Sequence, residues 1–402
     1  MNDYAYALVM PGSYIIAGAR TPIGKMSGAL ASFSAADLGG FAIAAALQRA
    51  GVAPQEVEHV IMGQVLMAGQ GQVPSRQAAS KAGIPMSVPS ININKVCLSG
   101  LNSIYLADQM ISSGEADIVI AGGMESMTNA PYLAMGARSG FRFGDVQLLD
   151  AIQRDGLWCA FDACLMGLGT ERYAAGNISR DDQDDLAMKS NQRAAAAIAA
   201  GRLADEIVPI SIPQRKGDPL VIDSDEGVRA STTMESLGSL KPAFDKDGTV
   251  TAGNASQISD AGSAIVMMSK REAERRGVKP LGEFVSYGMV AGPENASLLH
   301  QPSRSIMKAL DRAGKKVSDV DLFEINEAFA AVGIASMREL GISDDIVNVN
   351  GGAIALGHPI GMSGNRLALT LLHELQRRGG GMGAAALCGG GGQGDAIIVR
   401  TV

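Results

Sequence analysis

The chain has 402 residues, of which 47% are hydrophobic and 19% charged, with a net charge of −7. That length exceeds what one compact core organises, so two or more domains are expected, and the apolar content excludes a disordered chain. An acidic balance without a long Lys/Arg run excludes a nucleic-acid partner, and no apolar stretch is long enough to span a bilayer.

Residues 1–12 lack the basic start and apolar stretch of a signal peptide, and Arg400-Thr401-Val402 matches no retention signal; a cytoplasmic location is expected. The four cysteines, Cys97, Cys159, Cys164 and Cys388, read as free thiols in a chain of this size. The four histidines, His59, His300, His358 and His373, form no HExxH pattern, so no metal site is expected.

In chain order, the first signal is Ala46–Gly51 (ALQRAG), the end of an amphipathic helix stopped by glycine. An apolar run follows at Val57–Val65, then Ile91–Asn94 (ININ), a helix-like segment Leu98–Ser112 and an apolar strand Ile118–Gly123. The same series recurs as Ala309–Gly314 (ALDRAG), Val320–Ala328, Val347–Asn350 (VNVN), Ser363–Arg377 and Ala385–Gly390. Without gaps, Gly63 falls opposite Asn326. Matches in the same order predict an internal repeat of strand–helix–strand units, hence an α/β fold with buried strands. Met124–Ala255 has no counterpart in the second half and reads as an insertion. It contains a helix opened by Ser179, with Asp181, Asp182, Asp184 and Asp185 in its first turns, that runs to Gly201.

Four positions carry chemistry. Cys97, in Asn94–Gly100 (NKVCLSG), lies between a strand and a helix, where a helix N-terminus is expected to favour the thiolate. Its bland alternative is a buried structural cysteine. His358, in Gly357–Gly364 (GHPIGMSG), sits on a glycine-dense loop and suits proton transfer, or else only ties the loop. Cys388 precedes Gly389–Gly392, whose N–H groups form either an oxyanion nest or a tight turn. Asn326, in Asn326–Phe329 (NEAF), can fix a water or an enolate oxygen, or cap a turn. Gly18–Lys25 (GARTPIGK) fails as a phosphate loop, since Met26 stands where Ser or Thr belongs. The glycines near the C-terminus lead into a strand, Asp395–Val399, so a dinucleotide fingerprint is not met.

Together these segments resemble the thiolase family, from Gly18–Gly24 through Gly122–Met127 and Thr251–Ser256 to Cys388–Gly394. Within it the chain looks most like the acetyl-CoA acetyltransferases. The resemblance implies two similar α/β halves in five layers with an inserted loop domain. The expected division is residues 1–123 plus 256–280, the insertion 124–255, and residues 281–402. It implies reversible condensation of two acetyl-CoA to acetoacetyl-CoA and CoA, with no resident cofactor. Cys97 would attack the thioester, His358 accept its proton, and Cys388 remove the α-proton of the second acetyl-CoA. Asn326, through a water, and His358 would hold the enolate oxygen, and the N–H groups of Cys97 and Gly390 the oxyanion. Met166, Leu165, Arg229, Ser256, Ala328 and Phe329 match positions lining the CoA site. A homodimer or homotetramer is implied as well. The chain departs from acetoacetyl-specific relatives in having Leu165 where His usually precedes the CoA-site methionine. A degradative 3-ketoacyl-CoA thiolase for longer or branched chains shares every catalytic residue. A ketoacyl synthase would place a second His where Cys388 stands, and an inert CoA-thioester binder has no need of all four catalytic side chains.

Overall fold

The computed structural model describes residues 12–402. The strands β1 (Ser13–Arg20), β2 (His59–Gly63), β3 (Ser90–Ile93), β4 (Ile118–Ser126) and β5 (Ser259–Ser269) belong to the first half. β6 (Gly282–Ala291), β7 (Leu322–Ile325), β8 (Met382–Gly389) and β9 (Gln393–Arg400) belong to the second. The principal helices are α1 (Ala35–Ala50), α2 (Ser99–Ser112), α3 (Met166–Ala174), α4 (Arg180–Ala199), α5 (Gln301–Arg312), α6 (Ala330–Leu340) and α7 (Ser363–Arg377).

The repeat read from the sequence is a structural repeat. The first half has strand order β3-β2-β4-β5-β1 and the second β7-β8-β9-β6. In both, the strand following the glycine-stopped helix pairs parallel with the next long strand, and the pairings of the later strands are antiparallel. α1 ends at Gly51 and α5 is followed by Gly314, both with φ of 62°. The repeat breaks at one point. Ile91–Asn94 contributes to β3, but Val347–Asn350 makes only a single bridge, Val347 to Phe323. Asn348 has φ of 47° and turns its side chain back onto Ile325, accepting from its N–H at 2.9 Å and donating to its carbonyl at 2.8 Å. That side chain takes the bonds a paired strand would have offered β7.

The halves meet edge to edge through Tyr14–Glu283 and Ile15–Gly282 on β1 and β6, and the joined sheets fold over α2 and α7. Strand alternation sorts the apolar side chains into layers. Val119, Ala121, Ile265 and Met267 of one sheet, and Ala385, Leu387, Ile397 and Val399 of the other, close on Leu101, Ile104, Leu367, Leu371 and Leu372 of the central helices. Ile118, Ile120, Val266 and Met268 face outward onto α1, while Ala384, Ala386 and Ile398 face α5 and α6. The result is helix, sheet, helices, sheet, helix: five layers.

Residues between β4 and β5 carry α3 and α4. Ser179 caps α4 by accepting from Asp182 N–H at 3.1 Å, as its position before the acidic turn predicts. The insertion packs on the second half through Ala174, Ile178, Leu186 and Ala187. No helix among the described residues is long and apolar enough to cross a membrane.

The central helices touch at their first turns. A Cβ on Gly100 would lie 2.8 Å from the Gly361 carbonyl and 2.9 Å from Asn365 N. A Cβ on Gly364 would lie 2.4 Å from Leu101 N. Because backbone would have to move, Gly364→Ala is expected to destabilise the protein by about 1–3 kcal/mol. Gly238→Ala, where nothing lies within 4 Å, should leave the denaturant midpoint unchanged or slightly raised.

Candidate active site

Cys97 sits in a tight turn between β3 and α2. Val96 holds φ of 51°, a region a β-branched residue rarely enters. The turn is fastened on both sides. Asn94 Oδ1 accepts from Val96 N–H at 3.1 Å. Ser99 Oγ accepts from Lys95 N–H at 2.8 Å and donates to the Val96 carbonyl at 2.6 Å. Lys95 then reaches the second half, with Nζ 2.8 Å from both carboxylate oxygens of buried Asp395.

The expected thiolate is not preformed. Burial pushes the Cys97 thiol up to about 11, against the pull of the Gly390 N–H and its own N–H, which are turned toward the sulfur. The helix-end rule describes one favourable term, and desolvation by surrounding elements outweighs it here. The thiol therefore rests protonated, and His358 lines the same cavity.

His358 is buried, with its N–H donating to the Gln257 carbonyl at 3.0 Å. Nδ1 lies 2.5 Å from Ser363 Oγ, and Nε2 lies 3.4 Å from Asn326 Nδ2. Ser363 Oγ also donates to the Pro359 carbonyl at 2.9 Å. With the hydroxyl hydrogen committed there, Nδ1 carries the proton and Nε2 is unprotonated, accepting from Asn326 Nδ2–H. Rotating the hydroxyl toward Nδ1 permits the other tautomer. Burial, and then the charge of Arg366, depress the imidazole to about 3, so it is neutral at physiological pH.

Cys388 lies near the end of β8 and is fully buried. Burial and then the adjacent Cys97 sulfur hold its thiol well above the ordinary range. Gly390–Gly392 forms the three-residue turn into β9, with φ of 78° at Gly391 and 67° at Gly392. The tight turn and the nest are thus one structure, whose Gly390 N–H faces Cys97. Asn326 follows β7; its Oδ1 is buried without a hydrogen-bond partner in the protein, which suits it to a bridging water.

One cavity brings the two thiols, the imidazole and Gly390 together, lined by Cys97, His358, Cys388, Gly390, Ala328, Ser256 and Phe329; Asn326 is not in its lining and reaches it only through His358. It adjoins an outer pocket of about 490 Å³ lined by Leu165, Met166, Ser256, Phe329 and His358, with Leu157, Phe244 and Ile258 adding apolar wall. That volume suits a small-molecule arm. Arg229 stands apart: its side chain is exposed and lines neither cavity.

Residues 13–271 match the thiolase N-terminal domain and residues 278–401 the thiolase C-terminal domain. The chain belongs to the thiolase family. Its thiolase relatives include a probable acetyl-CoA acetyltransferase of Mycobacterium leprae, 56% identical over 98% of this chain and 100% of that protein. Acetyl-CoA acetyltransferases of Chromobacterium violaceum and Pseudomonas aeruginosa are 51% and 49% identical, each over 96% of this chain and 98% of their own length.

Two residues of this thiolase site escape a reading of the sequence. Glu125, in Gly122–Met127, accepts from the N–H groups of Val65, Leu66 and Gly361 at 3.0, 3.0 and 2.9 Å. It thereby ties a first-half loop to the His358 loop, and burial raises its carboxyl to about 7. Ser363 reads in sequence only as a helix start; its signal is its place opposite Ser99 in the repeat. Ser363→Ala removes the partner of Nδ1 and should lower kcat about 10–100-fold, the lower part of what a misplaced general base costs, with little change in thermal midpoint. Steady-state kinetics beside a melting curve checks this.

Proposed function

We propose that this chain catalyses the reversible condensation of two acetyl-CoA to acetoacetyl-CoA and CoA. The observation that carries the reading is the convergence of two thiols, a neutral imidazole and an inward-facing N–H on one apolar cavity. Cys97 Sγ attacks the thioester carbonyl while Nε2 of His358 takes its proton. The oxyanion of the tetrahedral intermediate lies toward the N–H groups of Cys97 and Gly390; losing one such donor typically costs ~10²–10³ in rate. CoA leaves with the proton from His358, and the acetyl group stays on Cys97. A second acetyl-CoA enters by the outer pocket; the Cys388 thiol passes its proton to Nε2 of His358, and the resulting thiolate removes the α-proton. The enolate oxygen is held by Nε2–H of the His358 imidazolium and by Asn326 through a water on its free Oδ1. The carbanion attacks the acyl-cysteine, the new carbon–carbon bond forms, and Cys97 departs as a thiolate that regains its proton from His358. Thiolysis reverses the order.

On this reading residues 124–255 are the loop domain closing over the substrate, between 1–123 plus 256–280 and 281–402. Ser256, Met166, Ala328 and Phe329 contact the pantetheine arm, and Arg229, at the exposed rim, meets the nucleotide end. The chemistry calls on no resident cofactor. A cytoplasmic homodimer or homotetramer completes the proposal.

The roles separate in variants. Wild type and Cys388→Ser should both gain an acetyl group on incubation with acetyl-CoA, and Cys97→Ala should gain none, as read by intact-protein mass. Cys388→Ser should lose proton exchange at the acetyl methyl group, because a hydroxyl is a far weaker acid than a thiol and its conjugate base is out of reach. An acyl group retained in Cys97→Ala would place the nucleophile elsewhere.

A second reading, a thiolase for somewhat longer or branched acyl chains, is favoured by Leu165. It lies in the apolar wall of the outer pocket, beside Met166. Each methylene moved onto apolar surface gains ~0.8 kcal/mol, roughly fourfold in kcat/KM. Wild type should therefore cleave 2-methylacetoacetyl-CoA and 3-ketohexanoyl-CoA with kcat/KM at least equal to that for acetoacetyl-CoA, and Leu165→His should lose the larger substrates selectively. Equal rejection by both proteins would restrict the function to acetoacetyl-CoA.

A further inference from the structure

Two of the four cysteines take no part in this chemistry. Cys159 and Cys164 are both buried and unbridged. They stand directly opposite one another in a short antiparallel hairpin, Trp158–Cys159 against Cys164–Leu165. Opposed residues of an antiparallel pair point to the same face, with Cα atoms about 4.5–5.5 Å apart. That lies inside the roughly 4.4–6.8 Å range over which a disulfide closes. Each sulfur has an N–H donor aimed at it. Asp162 N–H donates to Cys159 Sγ at 3.3 Å, and Arg172 Nη1 donates to Cys164 Sγ at 3.7 Å. Cys159 Sγ in turn donates to Asp162 Oδ2 at 3.5 Å; the two N–H donors favour negative charge on sulfur during exchange, and that carboxylate opposes it at Cys159. The thiols lie under an exposed tip, where Phe161 is 79% exposed and Ala163 holds φ of 50°.

The hairpin is also part of the acyl pocket. Leu157, just before its first strand, lines both cavities, and Leu165 and Met166, at its other end, line the outer pocket. Extra carbons on the acyl group would lie against these walls.

We propose that Cys159 and Cys164 are a modification site: a dithiol that a low-molecular-weight disulfide, of the glutathione or CoA type, converts to an intrachain disulfide, stapling the hairpin and restricting the pocket to short acyl groups. One cysteine sulfur attacks the small disulfide and expels a thiolate. The second attacks the mixed disulfide and expels the other. The two cysteines are oxidised, the small disulfide is reduced to two thiols, and the two cysteine protons pass to them.

The full-length protein is incubated with oxidised glutathione, denatured in iodoacetamide and digested with trypsin. The peptide Asp155–Arg172 should appear without alkyl groups and two hydrogens lighter, and should take two alkyl groups when reduced first. Two alkyl groups without reduction, or glutathione retained on one cysteine, overturns the proposal. The second readout is the ratio of kcat/KM for 3-ketohexanoyl-CoA to that for acetoacetyl-CoA, which does not depend on how much enzyme is lost to oxidation at Cys97. It should fall about 4–16-fold on oxidation, the worth of one to both of the extra methylenes, and stay constant in Cys159→Ser. This readout rests on the acyltransferase reading and the peptide mass does not, so the two fail separately. A closed disulfide with an unchanged ratio, or the same shift in Cys159→Ser, overturns the link to the pocket.

Discussion

Everything at the site depends on how closely two helix beginnings approach. α2 and α7 are repeat equivalents, and both open with Ser-Gly: Ser99-Gly100 and Ser363-Gly364. The glycines let the two backbones meet at distances that a Cβ would forbid. The serines fasten the turns just ahead of the helices, Ser99 the Cys97 turn and Ser363 the His358 loop. One device, present in both halves, thus delivers Cys97 from one half and His358 from the other. A side chain at Gly100 or Gly364 would push the two helix starts apart, and with them the sulfur and the imidazole.

Buried charge then fixes what the glycines bring together. Lys95–Asp395 ties the Cys97 turn to β9, the strand paired with Cys388's own strand. Glu125 ties Val65 and Leu66 to Gly361, and Arg366 on α7 meets Glu324 on β7 at 3.0 Å, two residues before Asn326. Each joins one carrier of site residues to another. Buried ion pairs gain little net stability, because desolvation offsets attraction. Their worth here is geometric: a charged partner left alone in the interior is costly, so alternative registers of strand, turn and helix are disfavoured.

The sequence discloses whatever is encoded by neighbours along the chain. The glycine stops after α1 and α5, the capped start of α4 and the strand–turn–helix around Cys97 all follow from patterns a few residues long. The repeat, being a pattern of patterns, is legible too. Glu125 is not, because its three N–H partners lie 59, 60 and 236 residues away, and a lone acid in an apolar strand has no local signature. The failure of Val347–Asn350 to form a full strand turns on a single Asn348 side chain reaching 23 residues back. The thiol of Cys97 departs from expectation for the same reason: the helix is local, whereas the walls that dry the sulfur come from both halves and the insertion.

That dryness has a chemical consequence. Burial raises both thiols and lowers the imidazole, so the resting site carries no charge on any of the three. On the proposed roles, charge arises only as the reaction proceeds, in the oxyanion near Gly390, in the imidazolium, or in the enolate near Asn326. In a low-dielectric cavity a fixed N–H or amide stabilises such a charge far more than it would in water. A preformed thiolate–imidazolium pair would spend that advantage on the ground state, where it accelerates nothing. The shift that looks unfavourable for making a thiolate is therefore the one that reserves the site's electrostatic power for the carbon–carbon bond.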